Sequence, residues 1–296
     1  MNLGAVFQLS KLQRIALSMQ RNAQGFLPVC QDALHRLSTE VDSSDRCVSY
    51  FPDQKKLYKF KIDTQTKRLE AEIYEQAEDA GNYELVDNKS VIELLKSKAL
   101  RNVLYIPNQD TLVADVLLNQ TTLLAGSFNP LHQGHVQMMK RGMDTSHSGL
   151  GVYELSISNC SKGEFGDQEL YRRTLLFKEE SGLLLLTDAA FFREKAAFVS
   201  QQSWFCIGAD TYKRFFDPQY YESEDQIKEF ASLLKSRDIG LLVAPRLAGE
   251  KVESVDDYIQ RVPDLYKDKV LHIPNFRVDI SSTQIRSART QQTSAK

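Results

Sequence analysis

The chain predicts an α/β fold: a doubly wound parallel sheet over residues 119–290, preceded by a smaller α+β region over 1–118 and followed by a polar tail at 291–296. Three observations carry this expectation. After residue 119, short continuous apolar runs alternate with amphipathic stretches, as in a sheet covered by helices on both faces. Before it, apolar and polar residues alternate singly, the period of half-exposed strands. The 296 residues also suffice for one large domain or two ordinary ones.

Hydrophobic content of 42% and charged content of 26% are ordinary for a globular chain. A net charge of −2 argues against a surface that tracks nucleic acid, while leaving a local phosphate pocket open. No apolar run approaches the ~18 residues of a membrane span. Cys30, Cys47, Cys160 and Cys206 are scattered without a Cys-x-x-Cys pair. That fits a reducing compartment, cytoplasmic or nuclear, and no structural zinc.

In order along the chain, residues 1–31 hold Lys11, Arg14 and Arg21 but no acidic residue, with Leu9, Leu12, Ala16 and Met19 at helical spacing. The expectation is an ordinary first helix; an organelle transit peptide is the alternative that this composition leaves open. Tyr58, Phe60 and Ile62, then Leu69, Ala71 and Ile73, alternate with polar residues across Asp63–Arg68, a hairpin. Ser90-Val-Ile-Glu93 has capping-box spacing ahead of Leu94 and Leu95. Thr121–Ala125 reads as a strand, Val136–Met143 as a helix and Val152–Ile157 as a strand. Asp167 is the expected cap of a helix carrying Leu170, Leu175 and Phe177, before a strand at Leu183–Leu186. Phe191–Phe198 reads as a helix and Trp204–Ile207 as a strand, with Trp204 in the core. Gly208-Ala209-Asp210 then leads into a helix, Ser223–Gln226 caps another, and Ile239–Ala244 and Val270–Ile273 supply two more strands.

Chemistry concentrates at two stretches. Gly126-Ser-Phe-Asn-Pro-Leu-His-Gln-Gly-His135 joins a strand to a helix, bringing backbone close to a ligand and offering the helix's unpaired N–H groups to an anion. His132 and His135, three apart, can face one volume. A zinc site is the rival, but no His-Glu-x-x-His run or third local ligand accompanies them. Asp279-Ile-Ser-Ser-Thr-Gln-Ile-Arg286 opens a helix with hydroxyls and places a guanidinium one turn in, a set suited to polyphosphate oxygens.

Together these stretches resemble the HxGH nucleotidylyltransferase superfamily: Gly126–His135 matches its first signature, Ile280–Arg286 its Ile-Ser-Ser-Thr-x-Ile-Arg signature, and Ile207-Gly-Ala-Asp210 its intervening Gly-x-Asp element. Within it the chain is most similar to nicotinamide or nicotinate mononucleotide adenylyltransferases, in a divergent branch found in fungi and plants. The resemblance covers about residues 119–290 and implies a Rossmann-like domain with ATP and a mononucleotide as substrates. It implies that His132, His135 and Arg286 are catalytic. Gly126, Ser127, Phe128, Gly208, Asp210, Ser281, Ser282 and Thr283 would bind ATP, with Asn159 and Lys162 on the substrate phosphates. Mg²⁺ would be held through the ATP phosphates rather than by protein ligands. Phe215 or Phe216 would stack a base. Pro245 departs from the family's pattern ahead of Arg246. The alternatives are a cytidylyltransferase or related enzyme acting on a phospho-alcohol, and a nucleotide-binding module without turnover. Neither nucleic acid nor membrane is an expected partner, and a homo-oligomer is left open.

Overall fold

The computed structural model describes residues 27–29, 48–51, 56–76, 83–159, 163–164, 166–180, 182–245, 247–248, 251–252, 259, 262–274, 276, 282 and 285–287. The expected amino-terminal helix, three of the four cysteines, Arg246 and the polar tail lie outside them. The chain divides into two compact units, Met1–Leu117 with Ser156–Ala190, and Leu118–Leu155 with Phe191–Lys296. The sequence places one boundary near 118; the stretch 156–190 groups with the first unit.

In the first unit, Val48–Phe51, Lys56–Asp63, Arg68–Gln76 and Tyr83–Ser90 form a four-stranded antiparallel meander. The Asp63 carboxylate accepts the N–H groups of Gln65 and Thr66 and so closes the turn after the second strand. Register then pairs Phe60 with Ala71 and Ile62 with Leu69, as the alternation requires. Ser90 caps the helix Val91–Lys96: its Oγ accepts Glu93 N–H at 3.2 Å, and the Glu93 carboxylate accepts Ser90 N–H at 2.7 Å.

One element gains an unexpected neighbour here, and one expectation changes. The Leu183–Thr187 strand forms where it is expected and has an antiparallel neighbour in Asn102–Ile106, with Leu185 opposite Leu104. A continuous apolar run reports burial on both faces and is blind to strand direction. Asp167 is the first residue of the helix Asp167–Glu179, whose N-cap is Gly166. Its carboxylate is bound by the Arg68 guanidinium at 2.7 Å.

The second unit carries, in order, β1 (Thr121–Ala125), α1 (Gln133–Ser146), β2 (Leu150–Ser156), α2 (Phe192–Lys195), β3 (Ser203–Gly208), α3 (Ala209–Phe215), α4 (Glu224–Ser236), β4 (Ile239–Ala244) and β5 (Val270–His272). Its strands are parallel in the order β5-β4-β3-β1-β2. Every residue of β4 is buried, which is why it reads as an uninterrupted apolar run. Ser223 caps α4 by accepting Gln226 N–H at 3.3 Å. Because β2 lies on one side of β1 and β3 on the other, strand order reverses at β1. In such sheets that reversal opens a crevice at the carboxyl ends, here beyond Ala125 and Gly208. The sheet is mainly parallel and the fold α/β. No helix among the described residues is long and apolar enough to cross a membrane.

Candidate active site

The turn from β1 to α1 is built around one ring. Gly126 N–H donates to the Glu154 carbonyl on β2 at 3.0 Å, tying the turn to the neighbouring strand. Phe128 takes a left-handed backbone, φ 43°, which costs a side-chain-bearing residue about 1–3 kcal/mol. Burial of its ring, 1% exposed, is worth a comparable ~1.5–3 kcal/mol. That ring meets His135 edge-on at 5.1 Å and Tyr153 at 5.5 Å. A Cβ on Gly126 would lie 2.8 Å from two of its carbons, so the Gly-x-Phe spacing has a packing cause. The Asn129–Pro130 bond is cis.

His132 is the N-cap of α1. Its Nδ1 accepts Gly134 N–H at 3.2 Å, and His135 Nδ1 accepts His132 N–H at 3.3 Å. With both Nδ1 atoms acting as acceptors, the neutral rings carry their protons on Nε2. The rings stack, centroids 3.8 Å apart and 27° between planes. Burial lowers the pKa of His132. Burial, then repulsion from a charged His132, lowers that of His135 to about 3. At neutral pH the ligand-free pair is therefore uncharged and presents two Nε2–H donors on the side away from the backbone.

The carboxyl-terminal signature folds onto the same turn. Ser282 Oγ donates to the Pro130 carbonyl at 3.1 Å, and Arg286 Nη1 donates to the Asn129 carbonyl at 2.6 Å. Two stretches some 150 residues apart thus meet at the residues just ahead of His132. Ser281 and Thr283 lie outside the described residues.

Gly208 ends β3 and is the N-cap of α3. A Cβ there would meet nothing within 4 Å, so the space above it is open. Asp210, in the first turn of α3, is exposed. Ser127 sits half-buried in the turn. Asn159 lies in the short strand Ser158–Asn159, its side chain outside the described set, as is Lys162.

Two aromatic expectations are corrected. Phe215 and Phe216 are 2% and 6% exposed, within a cluster in which Phe215 stacks on Phe230 at 5.6 Å and Phe216 meets Tyr266 at 5.8 Å. Both rings, at the end of α3 and just after it, face inward, so neither is available to a base. Trp204 is only half-buried, second in β3 near the amino edge of the sheet.

Sequence reasoning missed a buried ion pair beside the turn. Glu154, 1% exposed, sits opposite Ala125 on β2, and its carboxylate accepts from Lys195 Nζ on α2 at 2.8 Å. The available signal was a charged residue inside the apolar run Val152–Leu155; its partner, 41 positions on, carried none.

Residues 123–288 match the family model described as cytidylyltransferase-like, and the chain belongs to that family. The family and the fold support a nucleotidyltransferase. Among solved structures the chain is similar to Plasmodium falciparum nicotinic acid mononucleotide adenylyltransferase. Its complex with APC aligns at 16% identity and TM-score 0.33, and its complex with NaAD at 12% and 0.35. Each alignment covers 57% of this chain and 82% of the other. No curated protein sequence matches the chain.

Proposed function

We propose that the protein transfers AMP from ATP to the 5′-phosphate of nicotinamide mononucleotide or its acid form, releasing pyrophosphate. One observation carries the reading: a neutral histidine pair presents two Nε2–H donors on a turn that Ser282 and Arg286 clamp from the other end of the domain. Such donors suit phosphate oxygens crowded with negative charge.

The substrate brings its own nucleophile. A 5′-phosphate oxygen attacks the α-phosphorus, a new P–O bond forms, and the bond from the α-phosphorus to the bridging oxygen breaks. Pyrophosphate leaves with that electron pair, so no covalent enzyme intermediate is required. The protein's task is to align the two phosphates and stabilise charge on the equatorial oxygens. His135, anchored by Phe128, donates to the reacting phosphoryl group, and His132 to the triphosphate beside it. Ser282 and Arg286 hold the β- and γ-phosphates, exchanging their carbonyl partners for phosphate oxygens. Gly208 lets the nucleoside pass close to the end of β3, with Asp210 on the ribose side.

The donor set fits phosphate rather than a cation: it offers N–H, O–H and guanidinium groups. No cluster of three or more His, Cys, Asp or Glu occurs among the described residues. Mg²⁺ arriving on the triphosphate supplies charge neutralisation, as in other phosphoryl transfers.

Incubation with Mg²⁺, ATP or CTP, and a panel of mononucleotides and phospho-alcohols tests this by pyrophosphate release and product mass. A dinucleotide formed from ATP and either mononucleotide supports the proposal. Product from CTP alone overturns it in favour of a cytidylyltransferase, and ATP binding without pyrophosphate in favour of a binding module. In the same assay His135→Ala is expected to lower turnover by about 10²-fold or more, the effect of losing one transition-state donor.

A further inference from the structure

At the opposite ends of the same strands lies a second polar cavity, of about 440 Å³. That volume is in the range of small-molecule sites. β1 runs from this cavity to the catalytic turn, so the two are separated by roughly 13 Å of strand at ~3.3 Å per residue.

Four wall residues share an uncommon backbone. Gln120, His147, Gln202 and Asp238, with φ of 52°, 53°, 56° and 54°, stand ahead of β1, β2, β3 and β4. The left-handed turn at each turns a polar side chain to the rim. Gln120 Nε2 donates to Gln202 Oε1 at 3.3 Å. Among the described residues this leaves the Gln120 carbonyl as an acceptor and the Gln202 amide as a donor. Lys269 Nζ meets Asp238 Oδ1 at 2.5 Å, so the two charges in the wall cancel.

The floor is an indole. Trp204 is the chain's one tryptophan, half-buried and facing the cavity. It lies flat over Gly240: a Cβ there would fall 2.3 Å from two ring carbons, so only glycine permits the pose. One face of the indole is backed by strand β4, and its outer side lines the cavity.

A flat π-surface beneath amide donors and acceptors, in a wall without net charge, suits one chemical class. We propose that this cavity binds an uncharged planar heteroaromatic group, a nucleobase or pyridine carboxamide, by stacking on Trp204, at a site separate from the catalytic crevice. Stacking of such rings on aromatic side chains is worth ~1–3 kcal/mol.

The lone tryptophan makes the site its own reporter. The full chain would be titrated with adenine and with nicotinamide while Trp204 fluorescence is followed, with and without saturating ATP. The expected result is a saturable change for at least one probe that persists under ATP. It should be weakened threefold or more by Gln202→Gly and by His147→Gly. Glycine suits both left-handed positions, so these variants remove side chains without straining the backbone. Three results would each overturn the proposal: no saturable change up to about 10 mM, beyond millimolar affinity; a change abolished by ATP, which assigns it to the catalytic crevice; or a change indifferent to both variants.

Discussion

Gly126→Ala probes whether the glycine of the first signature serves packing as well as ligand approach. The added methyl would start 2.8 Å from Phe128 Cε1 and Cζ and 3.3 Å from Cδ1. Ordinary carbon contacts lie near ~3.5–4.0 Å, so the ring must withdraw by roughly 1 Å. It has little room, since it is 1% exposed and held between His135 and Tyr153. Overpacking of this kind costs about 1–3 kcal/mol. Any withdrawal toward His135 moves the donor proposed for the reacting phosphoryl group, and a 1 Å misplacement can cost about 10²-fold in rate. Thermal or urea unfolding followed by circular dichroism reads the first effect, and pyrophosphate release the second. Phe128→Leu in the same chain should return much of the stability without restoring full turnover, because His135 then lacks its edge contact. A Gly126→Ala protein with unchanged stability and rate would refute the packing account.

Three further outcomes follow from the same geometry. The folded-state pKa of His135, about 3, lies below its unfolded value near 6.5, so its contribution is present above pH 6.5 and lost as pH falls from there toward 3. Urea titrations at pH 7.5 and 5.5 should show that loss as about 1.4 kcal/mol, and His135→Asn should lack it; equal pH dependence of the two proteins would count against a neutral buried imidazole. Glu154→Gln leaves Lys195 buried without its counter-charge and should cost about 3–5 kcal/mol, whereas Glu154→Leu with Lys195→Met should come close to the parent; unfolding measurements on the three variants check it. Arg286→Lys keeps the charge but loses the planar fork, and should raise the KM for ATP by about tenfold in steady-state assays, with stability nearly unchanged.

What the residue pattern discloses here is local, and what it hides is pairing. Ser90 with Glu93 and Ser223 with Gln226 act within one turn of chain, so their caps could be read directly. The β4 run announces full burial through composition alone. No turn or period signal marks Asn102–Ile106 and Thr111–Ala114 as strands, and periodicity carries no direction for Leu183–Thr187. At the site, His132 and His135 were legible because their spacing and capping position are sequential. Convergence of Ser282 and Arg286 on that turn came only from resemblance, since nothing local links residues so far apart. Glu154 with Lys195 was lost for the same reason. Phe215 and Phe216 were misassigned because an aromatic after a glycine turn looks alike whether it faces a ligand or a core.

The first turn of α1 has a consequence for how this site can change. Serine, aspartate or asparagine would hold the start of a helix with less side chain than histidine. Here the same imidazole holds the helix with one nitrogen and reaches outward with the other. Folding of that turn therefore also assembles the donor pair. A shorter cap at 132 would keep the helix and lose the reach, while a longer cationic side chain would keep the reach and undo the helix. Few residue types satisfy both demands, and that narrows the substitutions through which the site could drift.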